Sequence, residues 1–297
     1  MSKHIFWLSS YPKSGNTLLR SILISLFFTE NGIFDLKLFT SITQFETAKL
    51  VYKNKHLFEN NLKKINDVAT FYKYLTKLQD KKNLNFNQDF KFYKSHSGNF
   101  SIGGNSFTKE EHIRGIIYIL RDPRDVCVSW SKHSNKSIDD TIEFMTNETQ
   151  TLYWKEGKEQ IFSDKNRPAS LLSSWDKHIA SWTLTAWNVP TMIIKYEDLI
   201  YHKEKIILKI VDFFSHNYGF NFKNLEIKIK NILETTKFEK LKKEEEKYGF
   251  EEAPYDQKFF SVGRDKQWSN KMSKVQIKKI ENCFKKTMNI HEYKINS

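Results

Sequence analysis

Phe6-Trp7-Leu8-Ser9-Ser10-Tyr11-Pro12-Lys13-Ser14-Gly15-Asn16-Thr17-Leu18-Leu19-Arg20 runs an apolar, β-rich piece into a Lys-Ser-Gly turn and out into an apolar helical pattern. Strand, tight turn and helix in that order build a phosphate cradle. The first N–H groups of a helix have no intrahelical partner and carry the positive end of its dipole, so they can face an oxyanion. Gly15 allows close backbone approach; Ser14, Asn16 and Thr17 add short side-chain donors, and Lys13 adds a mobile charge. The ATP-type loop, Gly-x-x-x-x-Gly-Lys-Ser/Thr, has a different register: here the lysine precedes a single glycine and no second glycine lies upstream. Read in isolation, residues 12–16 are no more than a turn between strand and helix, and the cradle needs support from the rest of the chain.

Outward from this loop, β-rich apolar pieces recur at 4–9, 90–94, 115–120 and 191–195, most of them followed by a helical pattern. This alternation predicts an α/β fold: a mostly parallel central sheet flanked by helices, with ligands beyond the carboxyl ends of the strands. No Pro/Gly/Ser-rich linker divides the 297 residues, so a single domain over 1–297 is expected. The stretches 31–89 and 139–187 are longer than simple crossovers and read as helical insertions. The second carries Trp154, Trp175, Trp182 and Trp187, which read as core and pocket wall. Cys127 and Cys283 are too few for a disulfide framework, and no apolar run reaches the length of a membrane span or signal peptide. The expected location is cytoplasmic. The net charge of +13, from 48 basic and 35 acidic residues, favours anionic ligands, although much of the excess lies in Lys/Glu stretches that read as solvated helix faces.

Two further strand ends carry chemistry. In Phe92-Tyr93-Lys94-Ser95-His96, alternation puts Lys94 and His96 on one side of an extended chain. A histidine there is either a proton acceptor beside a cation or a structural hydrogen-bonding residue. In Leu120-Arg121-Asp122-Pro123-Arg124-Asp125, Arg121 sits where the strand stops, and Ser129 lies about two turns into the helix that Pro123 begins. One guanidinium and one hydroxyl form a phosphate clamp. The alternative is that Arg121 pairs with Asp122 or Asp125 and fastens the corner.

Together these pieces resemble the sulfotransferases that use 3′-phosphoadenosine 5′-phosphosulfate (PAPS), of the cytosolic type and its bacterial relatives. Tyr11 through Thr17 is similar to their 5′-phosphosulfate loop, Tyr-Pro-Lys-Ser-Gly-(Thr/Asn)-Thr; Lys94-Ser95-His96 to their Lys-Thr-His element; and Arg121 with Ser129 to their 3′-phosphate motif. Ser174-Trp175 with His178 and Trp182, then Tyr196-Glu197-Asp198-Leu199, resemble the segment leading to the adenine pocket, and Thr236-x-Phe238 falls where that family contacts the base. The resemblance runs in order through nearly the whole chain. Two positions depart from the pattern. Leu18 stands where the family has an adenine-stacking tryptophan, and the C-terminal Arg-Lys-Gly-x-x-Gly-x-Trp element reads Ser261-Val262-Gly263-Arg264-Asp265-Lys266-Gln267-Trp268, without the two cations before the glycine. Arg264 or Lys266 is the candidate replacement.

The resemblance implies in-line transfer of a sulfuryl group from PAPS to an acceptor hydroxyl or amine, with adenosine 3′,5′-bisphosphate (PAP) as product. It implies His96 as general base, Lys13 and Lys94 as charge stabilisers, and Lys13 again with Ser14, Gly15, Asn16, Thr17, Leu18, Arg121, Ser129, Tyr196, Thr236, Phe238, Gly263 and Arg264 as cofactor contacts. No metal is implied, and no His/Cys/Asp set at metal spacing is present in the sequence. The acceptor is open among small molecules, glycans and lipids, no specific nucleic acid is expected, and a homodimer is compatible with the sequence. The competing readings are a P-loop-type nucleotide or small-molecule kinase and a non-catalytic basic binder of nucleic acid or acidic polymers.

Overall fold

The computed structural model describes residues 3–84, 88–153, 168–250, 252–253, 258–260 and 262–295; Trp154 and Ser261 lie outside them. The strands are β1 (Ile5–Ser9), β2 (Thr43–Gln44), β3 (Lys91–Ser95), β4 (Ser101–Ile102), β5 (Asn105–Ser106), β6 (Ile113–Leu120), β7 (Thr151–Tyr153), β8 (Ala169–Leu171) and β9 (Thr191–Lys195). The helices are α1 (Asn16–Phe28), α2 (Ala48–Lys53), α3 (Val68–Leu78), α4 (Lys81–Leu84), α5 (Pro123–Ser134), α6 (Ile138–Thr146), α7 (Trp175–Thr183), α8 (Tyr196–Tyr201), α9 (Lys203–Tyr218), α10 (Leu225–Thr235), α11 (Phe238–Tyr248), α12 (Trp268–Lys271) and α13 (Lys274–Ile290).

Alternation along β1 sets the layers. Ile5 and Trp7 enter one core and Phe6 and Leu8 the other, and all four are fully buried. A strand buried on both faces belongs in the middle of a sheet covered twice. The five-stranded sheet has the order β2-β3-β1-β6-β9, and all its pairings are parallel. Leu19, Ile22, Leu23 and Leu26 of α1, with Ile207, Ile210 and Phe214 of α9, cover the Phe6 face. Phe71 and Leu75 of α3, Val126 of α5, Trp175 and Trp182 of α7 and Phe284 of α13 cover the Trp7 face. Each such Leu, Ile or Phe contributes about 1.5–3 kcal/mol on burial.

The chain runs from β1 to β3 on one side and then crosses to β6 on the other. The loops leaving these three neighbours therefore diverge, opening a crevice at their carboxyl ends. The register puts Ser9 opposite both Ser95 and Tyr118, so the loops after β1 and β3 start level and β6 carries Arg121 slightly further out.

Both insertions carry short strands beside their helices. Stretch 31–89 supplies, besides helices, the two-residue edge strand β2, which pairs with Tyr93 and Lys94. Stretch 139–187 contains α6 and α7 but also the antiparallel pair β7–β8. Strands this short present no period for a sequence pattern to reveal. Trp175 and Trp182 are fully buried, and Trp187 packs partly buried against the same core. Both cysteines are free thiols, Cys127 buried and Cys283 exposed. Among the described residues no helix is long and apolar enough to cross a membrane.

Candidate active site

The loop after β1 is a tight turn in which Ser14 N–H donates to Tyr11 O at 3.3 Å. Two residues take the left-handed conformation: Lys13 at φ 66° and Gly15, the N-cap of α1, at φ 96°. Gly15 is required for a second reason, since a Cβ there would lie 2.3 Å from Cδ2 of Tyr196. Its missing side chain thus makes room for a tyrosine. Asn16 turns inward, its Nδ2 donating to Leu8 O and to Ser10 Oγ, both at 3.2 Å, so it ties the loop to β1. Helix α1 has no acidic residue in its first turn and no side-chain cap, which keeps its terminal N–H groups available to an anion. Thr17 is buried in that turn, and Leu18 is half-buried against the Phe6 core. Ser14 Oγ is buried without a hydrogen-bond partner, as is Arg121 Nε. Buried donors of this kind, one in the loop after β1 and one just after β6, suit an oxyanion.

His96 follows β3 and crosses to the β1 loop, its Nδ1 lying 2.8 Å from Ser10 O. A carbonyl only accepts, so Nδ1 carries the proton and the basic lone pair is on Nε2. The backbone that carries this ring is clamped from α7. His178 Nε2 donates to His96 O at 3.0 Å, its Nδ1 accepts from Tyr118 O–H at 2.8 Å, and Trp182 Nε1 donates to Ser97 O at 2.9 Å. The segment that resembles the approach to an adenine pocket therefore braces His96. Burial, reinforced by Lys94, pushes the His96 imidazole well below its usual range, so it is neutral at physiological pH.

Lys94 is buried, with Nζ 3.1 Å from Glu252, whose other oxygen is 2.5 Å from Nη1 of Arg20. Burial alone would raise the Glu252 carboxyl, but Arg20 and Lys94 outweigh it and hold the group well below the usual carboxylate range. Burial lowers Lys94 in turn. Neither Glu252 nor Arg20 is among the sequence candidates; the signal for Arg20 is a lone cation inside the apolar helix, the hallmark of a buried ion pair. Lys13 Nζ sits 4.5 Å above the ring of Phe259 and 3.4 Å from Nδ1 of His133. Burial, then Lys94 and Arg121, bring the Lys13 ammonium down to about 8.

Arg121 lies on the other side of the loop. It donates to Lys13 O at 3.1 Å and to Arg264 O at 3.2 Å, and its guanidinium lies 4.4 Å above the Tyr196 ring. The acids offered for it in the alternative reading are engaged elsewhere. Asp122 is bound by Arg124, and Asp125 accepts from the N–H groups of Lys266 and Trp268. Arg124 fastens the corner, leaving Arg121 to bridge the β1 loop and the C-terminal segment. Ser129 is half-buried on α5. Gly263, at φ 66°, packs against Phe238, whose ring would be 2.2 Å from an added Cβ. Thr236 is fully buried and turned back into α10, its hydroxyl donating to Ile232 O.

Lys13, Lys94, Arg121 and His96 thus converge with an uncapped helix N-terminus on the crevice, while Tyr196 and Asn16 shape the loop. Such an arrangement has the donors to hold an oxyanion and an imidazole able to accept a proton beside it, set on a phosphate-loop α/β frame. Residues 3–291 match the family model of the sulfotransferase domain, and the chain belongs to the sulfotransferase family. Among solved structures the fold is similar to mouse sulfotransferase SULT7A1 complexed with PAP, with TM-score 0.58 and 17% identity over 97% of this chain and 86% of that one. It is similar too to retinol dehydratase in complex with androsterone and inactive cofactor PAP, with TM-score 0.60 and 16% identity over 97% and 81%. The retinol dehydratase complex with retinol and PAP gives TM-score 0.61 and 17% identity over 97% and 82%. No curated protein sequence gives a significant match.

Proposed function

We propose that the protein transfers a sulfuryl group from PAPS to a hydroxyl or amine of a small-molecule, glycan or lipid acceptor, with His96 as general base. The observation that carries this reading is the His96 tautomer: its Nδ1 proton is committed to Ser10 O, so Nε2 is the basic atom, beside two lysines and a helix N-terminus. PAPS supplies the sulfuryl group, whose bond to the 5′-phosphate oxygen breaks as the acceptor oxygen or nitrogen bonds to sulfur, releasing PAP. His96 Nε2 takes the acceptor proton as that bond forms. Lys13 and Lys94 offset the charge on the sulfuryl and leaving oxygens, and the N–H groups from Gly15 to Thr17, with Ser14 Oγ, hold the 5′-phosphate. Arg121, Ser129 and Arg264 grip the 3′-phosphate. Leu18, Tyr196, Thr236 and Phe238 line the base, and Gly263 belongs to the segment that reaches the 3′-phosphate.

Thermal stabilisation by PAP but not by ATP with magnesium, together with transfer of labelled sulfate from PAPS to an acceptor mixture, tests this function. Stabilisation by ATP alone, or by neither nucleotide, rejects it. Arg121→Ala is expected to weaken PAP about tenfold to a hundredfold, the worth of a hydrogen bond to a charged group. Adenosine 5′-phosphosulfate, which lacks the 3′-phosphate, should weaken far less; equal losses by titration calorimetry would make Arg121 a structural bridge.

The pH profile has a defined sign. Lys13 acts as a cation and sits at about 8, so kcat/KM should fall as pH rises through that value. His96 is held well below 6.5 and acts as the neutral base, so the acid limb should lie below that pH. An alkaline limb that Lys13→Arg leaves in place would show that another group sets it.

A further inference from the structure

We propose that His133 is a positioning residue of this site: as the neutral tautomer protonated on Nε2, it holds the Lys13 ammonium with the lone pair of Nδ1, a role that rests on the sulfotransfer reading above. Lys13 Nζ and His133 Nδ1 are 3.4 Å apart. An ammonium has three donors and no acceptor, so the ring nitrogen must be the acceptor and the imidazole proton must be on Nε2. The two histidines of the crevice are therefore opposite tautomers, His96 offering a lone pair at Nε2 and His133 an N–H there.

Helix geometry puts the ring there. His133 is one turn beyond Ser129 on α5, so the two share a face. The imidazole leans on Trp130, with centroids 5.5 Å apart, and Trp130 in turn stacks on Phe144 at 5.2 Å, which restricts its freedom. Across the ammonium lies the Phe259 ring, 4.5 Å away. Both tethers are uncharged, so Lys13 keeps its charge for an oxyanion, whereas Lys94 is ion-paired to Glu252. Burial, then Lys13 and Lys94, hold His133 down to about 4, consistent with a ring that stays neutral. A free lysine side chain carries about 2 kcal/mol of rotamer entropy, and fixing it before reaction removes that cost from the transition state.

Two substitutions separate this role from packing. His133→Phe keeps a ring against Trp130 and removes the acceptor; His133→Asn loses the ring and keeps an acceptor oxygen at the Nδ1 position. His133→Phe should lower kcat for PAP release from PAPS about tenfold to a hundredfold, with the Kd for PAP changing less than about threefold, and His133→Asn should stay close to wild type. The Lys13 side chain, followed by carbon-labelled lysine NMR, should titrate at lower pH in His133→Phe and at the wild-type pH in His133→Asn. Wild-type turnover in His133→Phe, equal losses in both variants, or an unmoved Lys13 titration overturns the assignment. Failure of the wild-type protein to bind PAP overturns the sulfotransfer reading instead, and the Lys13 titration still decides the contact.

Discussion

His96→Ala should lower turnover about a hundredfold to ten-thousandfold, the range for a positioned general base, while leaving PAP stabilisation close to wild type. The separation follows from the geometry. His96 meets the β1 loop at Ser10, whose carbonyl oxygen lies 2.8 Å and whose hydroxyl lies 3.2 Å from Nδ1, whereas the loop is also held by Asn16 on Leu8 O and by Arg121 on Lys13 O. Removing the ring removes a base and leaves those ties in place. His178 and Trp182 bind the carbonyls of residues 96 and 97, so the backbone stays clamped as well. Single-turnover rates and PAP binding measured on the same sample check this. A variant that turns over normally would reject the base assignment, and one that also loses PAP would make His96 part of the loop scaffold.

Arg124→Met should lower the free energy of unfolding by about 3–5 kcal/mol, the cost of breaking a buried ion pair from one side. Arg124 is 2% exposed and donates to Asp122 at 2.7 Å and to Glu281 at 2.5 Å, and Glu281 is fully buried. Its guanidinium also lies 3.9 Å above the Trp268 ring, so one side chain joins α5, α12 and α13. Without it, Asp122 and the buried Glu281 lose the cation that joins them. Adding Glu281→Gln should restore most of the loss, because the desolvated charge is then gone. Urea titrations of the single and double variants decide the matter: a loss under 1 kcal/mol, or no recovery in the double variant, would contradict the buried-pair account. The same corner bears on the site, since Arg124 occupies the acid that Arg121 would otherwise take.

Much of this was legible in the chain. The run Ile5-Phe6-Trp7-Leu8, apolar at every position, has no polar face to leave in water, and three strand ends bearing Lys13, His96 and Arg121 imply one crevice, because parallel strands bring their carboxyl ends to a common edge. β2 and the β7–β8 pair were not legible, since two or three residues carry no period and exist only by pairing with a neighbour. Glu252 was invisible as a partner for Lys94, 158 positions away in sequence.

The sequence by itself therefore determined the class of fold, the loop and the identities of the charged groups, since these follow from local periodicity and residue chemistry. Only the tertiary structure decided their states. Which nitrogen of His96 and of His133 is basic depends on a carbonyl in one case and an ammonium in the other, each supplied by the β1 loop. Why residue 15 is glycine depends on Tyr196 lying where a Cβ would go. Tautomers, pKa shifts and close approaches are properties of neighbours in space, and neighbours distant in sequence are set by packing alone.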